Sequence, residues 1–159
     1  MKNAKGKTPH IFMSYRRADS ADVCGRIYDR LEQAFGKEAI FKDVDDIPFG
    51  VNFVDYLDQQ VQKCDLLLAI IGKDWTNIAD ENGDLRLHDP KDFVRIEIES
   101  ALKRKILVIP ILVRGASMPS AEDLPESMHD LLWRNGIQVR PDPDFHKDMN
   151  RLIEGITSL

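Results

Sequence analysis

The segment DLLLAIIG, residues 65 to 72, limits the fold more than any other stretch of the chain. A strand covered on one face alternates apolar and polar residues. A strand-length run without that alternation belongs where both faces are covered, at the centre of a parallel sheet. Parallel neighbours cannot be joined by tight hairpins, so each step between strands needs a crossover, usually a helix. The chain supplies them. HIFMSY (10 to 15) predicts a short strand, and in the following ADSADVCGRIYDRLEQAF the residues Cys24, Ile27, Tyr28, Leu31, Ala34 and Phe35 recur at helical spacing. AIFKDV (39 to 44) predicts a second strand. Pro48 and Gly50 then punctuate a loop before a helix carrying Val54, Leu57 and Val61. After DLLLAIIG comes the polar segment KDWTNIADENGDLRLHDP, then a helix over about 91 to 104 and a second buried strand in KILVIPILV (105 to 113). Pro110 removes one ladder donor from that strand and predicts a bulge or an edge-like position. The remainder predicts a loop with a short helix, a small last strand in GIQV and a closing helix in DFHKDMNRLIEGI.

The expected architecture is therefore flavodoxin-like α/β, a three-layer sandwich with a five-stranded parallel sheet and helices on both faces. With 159 residues and 43% hydrophobic content, one domain is expected. A polar N-terminal extension, residues 1 to 8, is expected to precede it. A net charge of −5 gives no global basic field for a phosphate backbone, so nucleic acid is not an expected partner. Cys24 and Cys64 lack metal-ligand or disulfide-framework spacing and read as buried thiols, which favours a reducing, cytoplasmic compartment. The opening MKNAKGKTPH has no apolar core of a signal, and the apolar runs are strand-length, so no membrane span is expected. The histidines, His10, His88, His129 and His146, are scattered, and no metal site is expected.

In such sheets ligands collect beyond the carboxyl ends of the strands, near the switch point. The tips there are Ser14-Tyr15-Arg16-Arg17, the loop Asp43 to Gly50, and Gly72-Lys73-Asp74-Trp75. A flavodoxin needs a hydroxyl- and glycine-rich phosphate loop after the first strand, where this chain has YRRADSAD. A phosphoacceptor receiver needs paired acidic residues there and an acceptor aspartate after the third strand, where this chain has SYRR and IIGKDW. No Walker loop or G-x-G-x-x-G occurs, which leaves a glycine-cradled nucleotide unsupported.

HIFMSYRR, FKDVDDIPFGVNF, CDLLLAIIGKDW and DFVRIEIESALKRKILVIPILV, in that order and spacing, together resemble the Toll/interleukin-1 receptor (TIR) domain over residues 9 to 157. The pattern is most like that of the NAD-cleaving members, those of bacterial type and the axon-degeneration enzyme. The resemblance implies one of two functions. Some members are assembly modules, and others cleave NAD⁺ to nicotinamide and ADP-ribose or a cyclised isomer. In the cleaving members a glutamate on the helix before the fourth strand is catalytic and follows an aromatic residue by four positions, as Glu97 follows Phe93 here. Helical geometry is compatible: Val94, Ile98, Ala101 and Leu102 form a core stripe, with Phe93, Glu97 and Ser100 along one edge and Glu99 off the other. The relatives usually have tryptophan at the Phe93 position; phenylalanine still stacks on a planar ring but lacks the indole donor.

The resemblance further implies substrate contacts from Tyr15, Arg16, Arg17, Asp43, Ile47, Gly50 and Phe93, and an assembly loop containing Asp45, Asp46, Pro48 and Phe49. Arg16 and Arg17 match the cleaving members' SYRR element and suit a pyrophosphate. A salt bridge to the acidic loop Asp43 to Asp46 suits them equally well. Asp43 suits a ribose hydroxyl or a strand-end cap, Gly50 and Pro48 suit a turn, and Tyr15 suits the core. Trp75 and Trp133 are expected in packing. NAD⁺ is the expected substrate, with no cofactor, and other TIR domains are the expected partners, as a homo-oligomer or filament. One carboxylate can suffice, because nicotinamide departs neutral from a cationic nitrogen and needs no acid; the remaining problem is positive charge on the ribose. The expectation is an NAD⁺ glycohydrolase or cyclase activated by assembly, in bacterial antiviral immunity or signalling. The alternative is a non-enzymatic TIR scaffold.

Overall fold

A computed structural model describes residues 1 to 42 and 47 to 159. The strands are β1 (Ile11–Ser14), β2 (Ile40–Phe41), β3 (Leu66–Ile71), β4 (Leu107–Val113) and β5 (Ile137–Val139). They form one parallel sheet in the order β2-β1-β3-β4-β5. The α-helices among the described residues are α1 (Arg17–Phe35), α2 (Phe53–Gln62), α3 (Phe93–Lys103) and α4 (Phe145–Thr157). Short 3₁₀ segments, including Glu126–Trp133, occupy the connection from β4 to β5. The expected flavodoxin-like sandwich is the fold found.

All six residues of β3 are buried, as an unalternating apolar strand requires. Its pleat divides them between two cores. Leu66, Leu68 and Ile70 pack with Ile27 and Leu31 of α1 and Met149 and Ile156 of α4. Leu67, Ala69 and Ile71 pack with Val61 of α2, Val94 and Ile98 of α3, and Met128 and Leu131 of the last 3₁₀ segment. Trp75 lies in this second core, whereas Trp133 is 83% exposed, contrary to its expected packing role. Val54 is also exposed, because only Leu57 and Val61 of the α2 pattern turn inward.

Pro110 lies within β4, opposite Ala69 of β3. Pairing with β5 begins one residue later, at Ile111 opposite Ile137, so β4 is an edge on that side up to Pro110. A missing donor is tolerated there. The chain enters β5 at Gly136, where a Cβ would lie 2.6 Å from the Pro110 carbonyl oxygen. Only glycine permits that approach.

Candidate functional site

The strand order reverses between β1 and β3, and their carboxyl ends open beside the amino end of α3. Three local devices hold this corner. Asp19, buried in the first turn of α1, accepts hydrogen bonds from the backbone N–H of Gly72 (2.8 Å) and of Asp74 (2.9 Å). A Cβ on Gly72 would fall 2.3 to 2.6 Å from that carboxyl group, so glycine is required at the end of β3. At the amino end of α3, Asp92 is the N-cap and accepts from the Arg95 N–H at 3.0 Å. At that of α2, Asn52 accepts from Val54 and Asp55.

Arg16 lies two residues beyond the end of β1 and is buried, and the side chain of its partially buried partner Asp92 is 9% exposed. The pair is bidentate, Nη1 to Oδ1 at 2.9 Å and Nη2 to Oδ2 at 2.6 Å. Arg16 therefore ties the tip of β1 to the cap of α3. Its Nε is buried without a hydrogen-bond partner among the described residues.

Glu97 lies one turn further along α3 from Phe93 and is 5% exposed, deeper than a position at the edge of the core stripe implies. Ser14, the last residue of β1, donates its hydroxyl to Glu97 Oε1 at 3.1 Å. Burial pushes the Glu97 carboxyl up to about 8; the Ser14 hydrogen bond opposes this, the nearby charge of Asp92 adds to it, and Arg16 lowers it. At neutral pH the resting group is mostly protonated. Glu99, expected to be exposed, is half-buried and pairs with Arg95 at 2.7 Å, an i,i+4 contact along the helix.

A cleft of about 450 Å³ opens over this corner, with Tyr15, Arg16, Arg17, Asp92 and Phe93 in its walls. Glu97 and Ser14 are not among its lining residues. The Arg16–Asp92 pair both lines the cleft and acts electrostatically on Glu97. Of the substrate residues expected from sequence, Tyr15, Arg16, Arg17 and Phe93 converge here, while Ile47 and Gly50 do not line the cleft. Asp43, Asp45 and Asp46 lie outside the described residues. Pro48 and Phe49 are exposed, Phe49 fully so, and Gly50 adopts φ +80°, a conformation suited to glycine. The Phe53 ring stacks at a tilt against Phe93, centroids 5.4 Å apart, linking the start of α2 to the cleft.

Sequence reasoning missed the roles of Ser14, Asp19 and Asp92. An aspartate just before a helical repeat is a readable cap signal, so Asp92 was within reach. Nothing local marks Asp19 or Ser14, whose partners lie 53 and 83 residues away.

A family model described as TIR domain matches residues 11–154. Among curated proteins, the chain is 28% identical over 134 residues to the NAD(+) hydrolase sarm1 of Drosophila melanogaster, covering 82% of this chain and 9% of that protein's length. Among solved structures, the TIR domains of the activated Roq1 resistosome, which recognises the pathogen effector XopQ, align with a TM-score of 0.65 at 12% identity. That alignment covers 93% of this chain and 99% of the other. The TIR domain of the Toll-related receptor TRR-2 from Hydra magnipapillata aligns with a TM-score of 0.53 at 16% identity, over 92% and 99% of the two chains. A prokaryotic SEFIR domain does so with 0.53 at 19% identity, over 93% and 98%.

Proposed function

From the premise that the chain belongs to the TIR domain family, we propose that it cleaves the nicotinamide–ribose bond of NAD⁺, with Glu97 as the catalytic carboxylate. The observation that carries this reading is the arrangement of α3: a buried glutamate one turn beyond a cleft-lining, 40% exposed phenylalanine. The name of the Drosophila relative, an NAD(+) hydrolase, supports it. Phe93 offers a ring face for the nicotinamide. As the glycosidic bond stretches, positive charge moves to the ribose, and an ionised Glu97 stabilises it in a site of low dielectric. A cationic nicotinamide ring beside the carboxyl favours the charged form, so substrate binding itself lowers the pKa that burial has raised.

Because Glu97 does not line the cleft in this state, the proposal includes a rearrangement at the amino end of α3 that brings the carboxylate to the ribose. Assembly supplies a route to it. The exposed Phe49, Val51 and Val54 form an apolar stretch leading to Phe53, which stacks on Phe93. A neighbouring copy that covers this stretch acts on the cleft through the two rings. Water then yields ADP-ribose, and attack by an adenine nitrogen yields a cyclic isomer.

The second reading, a scaffold that recruits other TIR domains without chemistry, is favoured by the burial of Glu97 and the exposure of the same apolar stretch. The two separate on incubation of the concentrated protein with NAD⁺ and chromatography of the products. Nicotinamide release that grows faster than linearly with protein concentration and is lost in Glu97→Ala supports the enzyme. Equal traces from both proteins at every concentration support the scaffold.

A further inference from the structure

The polar segment between β3 and α3 is assigned no role by the sequence, yet its second half reaches the cleft. Arg86 and Lys91 line the same walls as Arg16, Arg17 and Phe93. Both are presented by a built turn rather than a loose loop. Asp80 Oδ1 accepts from the N–H groups of Asn82 and Asp84, Ala79 bridges to Leu85, and the Arg86 N–H bonds to the Ile78 carbonyl at 2.9 Å. Asp89 Oδ1 accepts from the Lys91 N–H at 2.9 Å, placing Lys91 immediately before the cap of α3. The carboxylates on this side, Asp80 and Asp89, are thus engaged with backbone donors. Among the described residues, neither the Arg86 guanidinium nor the Lys91 ammonium has a carboxylate partner.

The Arg16 guanidinium is held on two nitrogens by Asp92, so its charge is neutralised at the wall. In a chain of net charge −5, exposed cations without partners gathered on one side of a cleft mark where an anion is recognised. We infer that Arg86 and Lys91 form the diphosphate-binding side of this cleft, holding the bridging phosphates of a dinucleotide whose nicotinamide end stacks on Phe93, while Arg16 is a positioning residue. The inference rests on the NAD⁺ reading above for the identity of the dinucleotide. A guanidinium fork and an ammonium together suit two linked phosphates, the fork fixing orientation and the lysine adding charge.

The test is calorimetric titration of the protein with ADP-ribose, run beside NAD⁺ cleavage, for wild type, Arg86→Gln, Lys91→Gln, their double variant and Lys147→Gln. Lys147 is exposed on α4, on the opposite face of the sheet, and controls for loss of one positive charge. Both target side chains are exposed, so the variants fold. Each substitution is expected to weaken ADP-ribose about tenfold, the low end for a charged hydrogen bond, and the Lys147 change not at all. In cleavage, KM for NAD⁺ rises by a similar factor while kcat stays within about twofold. Wild-type affinity in the double variant, or no ADP-ribose binding by wild type, overturns the inference. Unchanged KM in a double variant that still cleaves NAD⁺ overturns the subsite and leaves the reaction standing. Binding that is lost in the double variant, with no cleavage by wild type, overturns the reaction and supports the subsite.

Discussion

Glu97 is a carboxyl group that the fold prefers neutral, and this has a definite sign. Its pKa is raised from an ordinary carboxylate value to about 8 in the folded chain. The folded state therefore holds a proton that the unfolded chain has released between about pH 4.5 and 8, and stability falls across that window as pH rises, by at most about 1.4 kcal/mol per pH unit. Glu97→Gln does not titrate. Thermal melts should show it gaining on wild type from pH 5 to 8 and keeping a constant lead above; a lead independent of pH would show that Glu97 is ionised throughout. Under the proposed NAD⁺ cleavage, the expected outcome is a kcat/KM that climbs toward pH 8, because the reaction needs Glu97 without this proton. Arg16 presents the opposite case. Removing it in Arg16→Ala leaves the largely covered Asp92 carboxylate with only its N-cap hydrogen bond and no counter-charge, a loss of up to about 3 to 5 kcal/mol, readable as a fall in the denaturation midpoint. A loss under about 1 kcal/mol would mean that water reaches Asp92.

At the scale of elements, the unbroken apolar run of β3 was legible because both of its faces meet a core. Of the α2 pattern, Leu57 and Val61 read correctly, whereas Val54 of the same pattern is exposed. The depth of Glu97 was not legible, since helical spacing gives an angle around α3 but not how closely β1 approaches it. Ser14, arriving from 83 residues away, closes that side. Trp133 was misread for a different reason: the buried face of its 3₁₀ segment runs through Met128 and Leu131, three residues apart, and Trp133 falls off that face toward solvent. The helical pattern put Phe93 and Glu97 on one helix and the family resemblance gave them their expected roles, whereas the Arg16–Asp92 pair follows only from tertiary placement. The join between β3 and α1 offers a direct check. Gly72→Ala pushes a methyl group into the Asp19 carboxyl and should cost about 1 to 3 kcal/mol by chemical denaturation. Asp19→Ala on the same background should recover part of that loss, because the clash and the hydrogen bonds share one partner.

For the whole molecule, two opposed sets of ionisable groups bound the stable range. Asp148 is held down to about 2 mainly by its hydrogen bond from Arg140, which ties α4 to the end of β5. Asp58 is held to about 2 mainly by Arg104, which ties α2 to α3. Both contribute stability that is present above the ordinary aspartate pKa and is lost as pH falls toward 2, whereas Glu97 acts at the alkaline side. Melting temperature should therefore peak between about pH 4 and 5, with a gentle decline toward 8 and a steep one below 3. Assembly also belongs to this scale. Phe49→Ser removes a fully exposed aromatic without touching the core, so the melt should stay unchanged while any concentration dependence of NAD⁺ cleavage weakens several-fold. The central claim is that Glu97 acts through its charge. The most direct test is nicotinamide release from NAD⁺ by wild type and Glu97→Gln at pH 8, on protein whose melts show both to be folded. A loss of about a hundredfold or more in a variant at least as stable as wild type is the predicted result. Release within a few-fold of wild type would contradict the account.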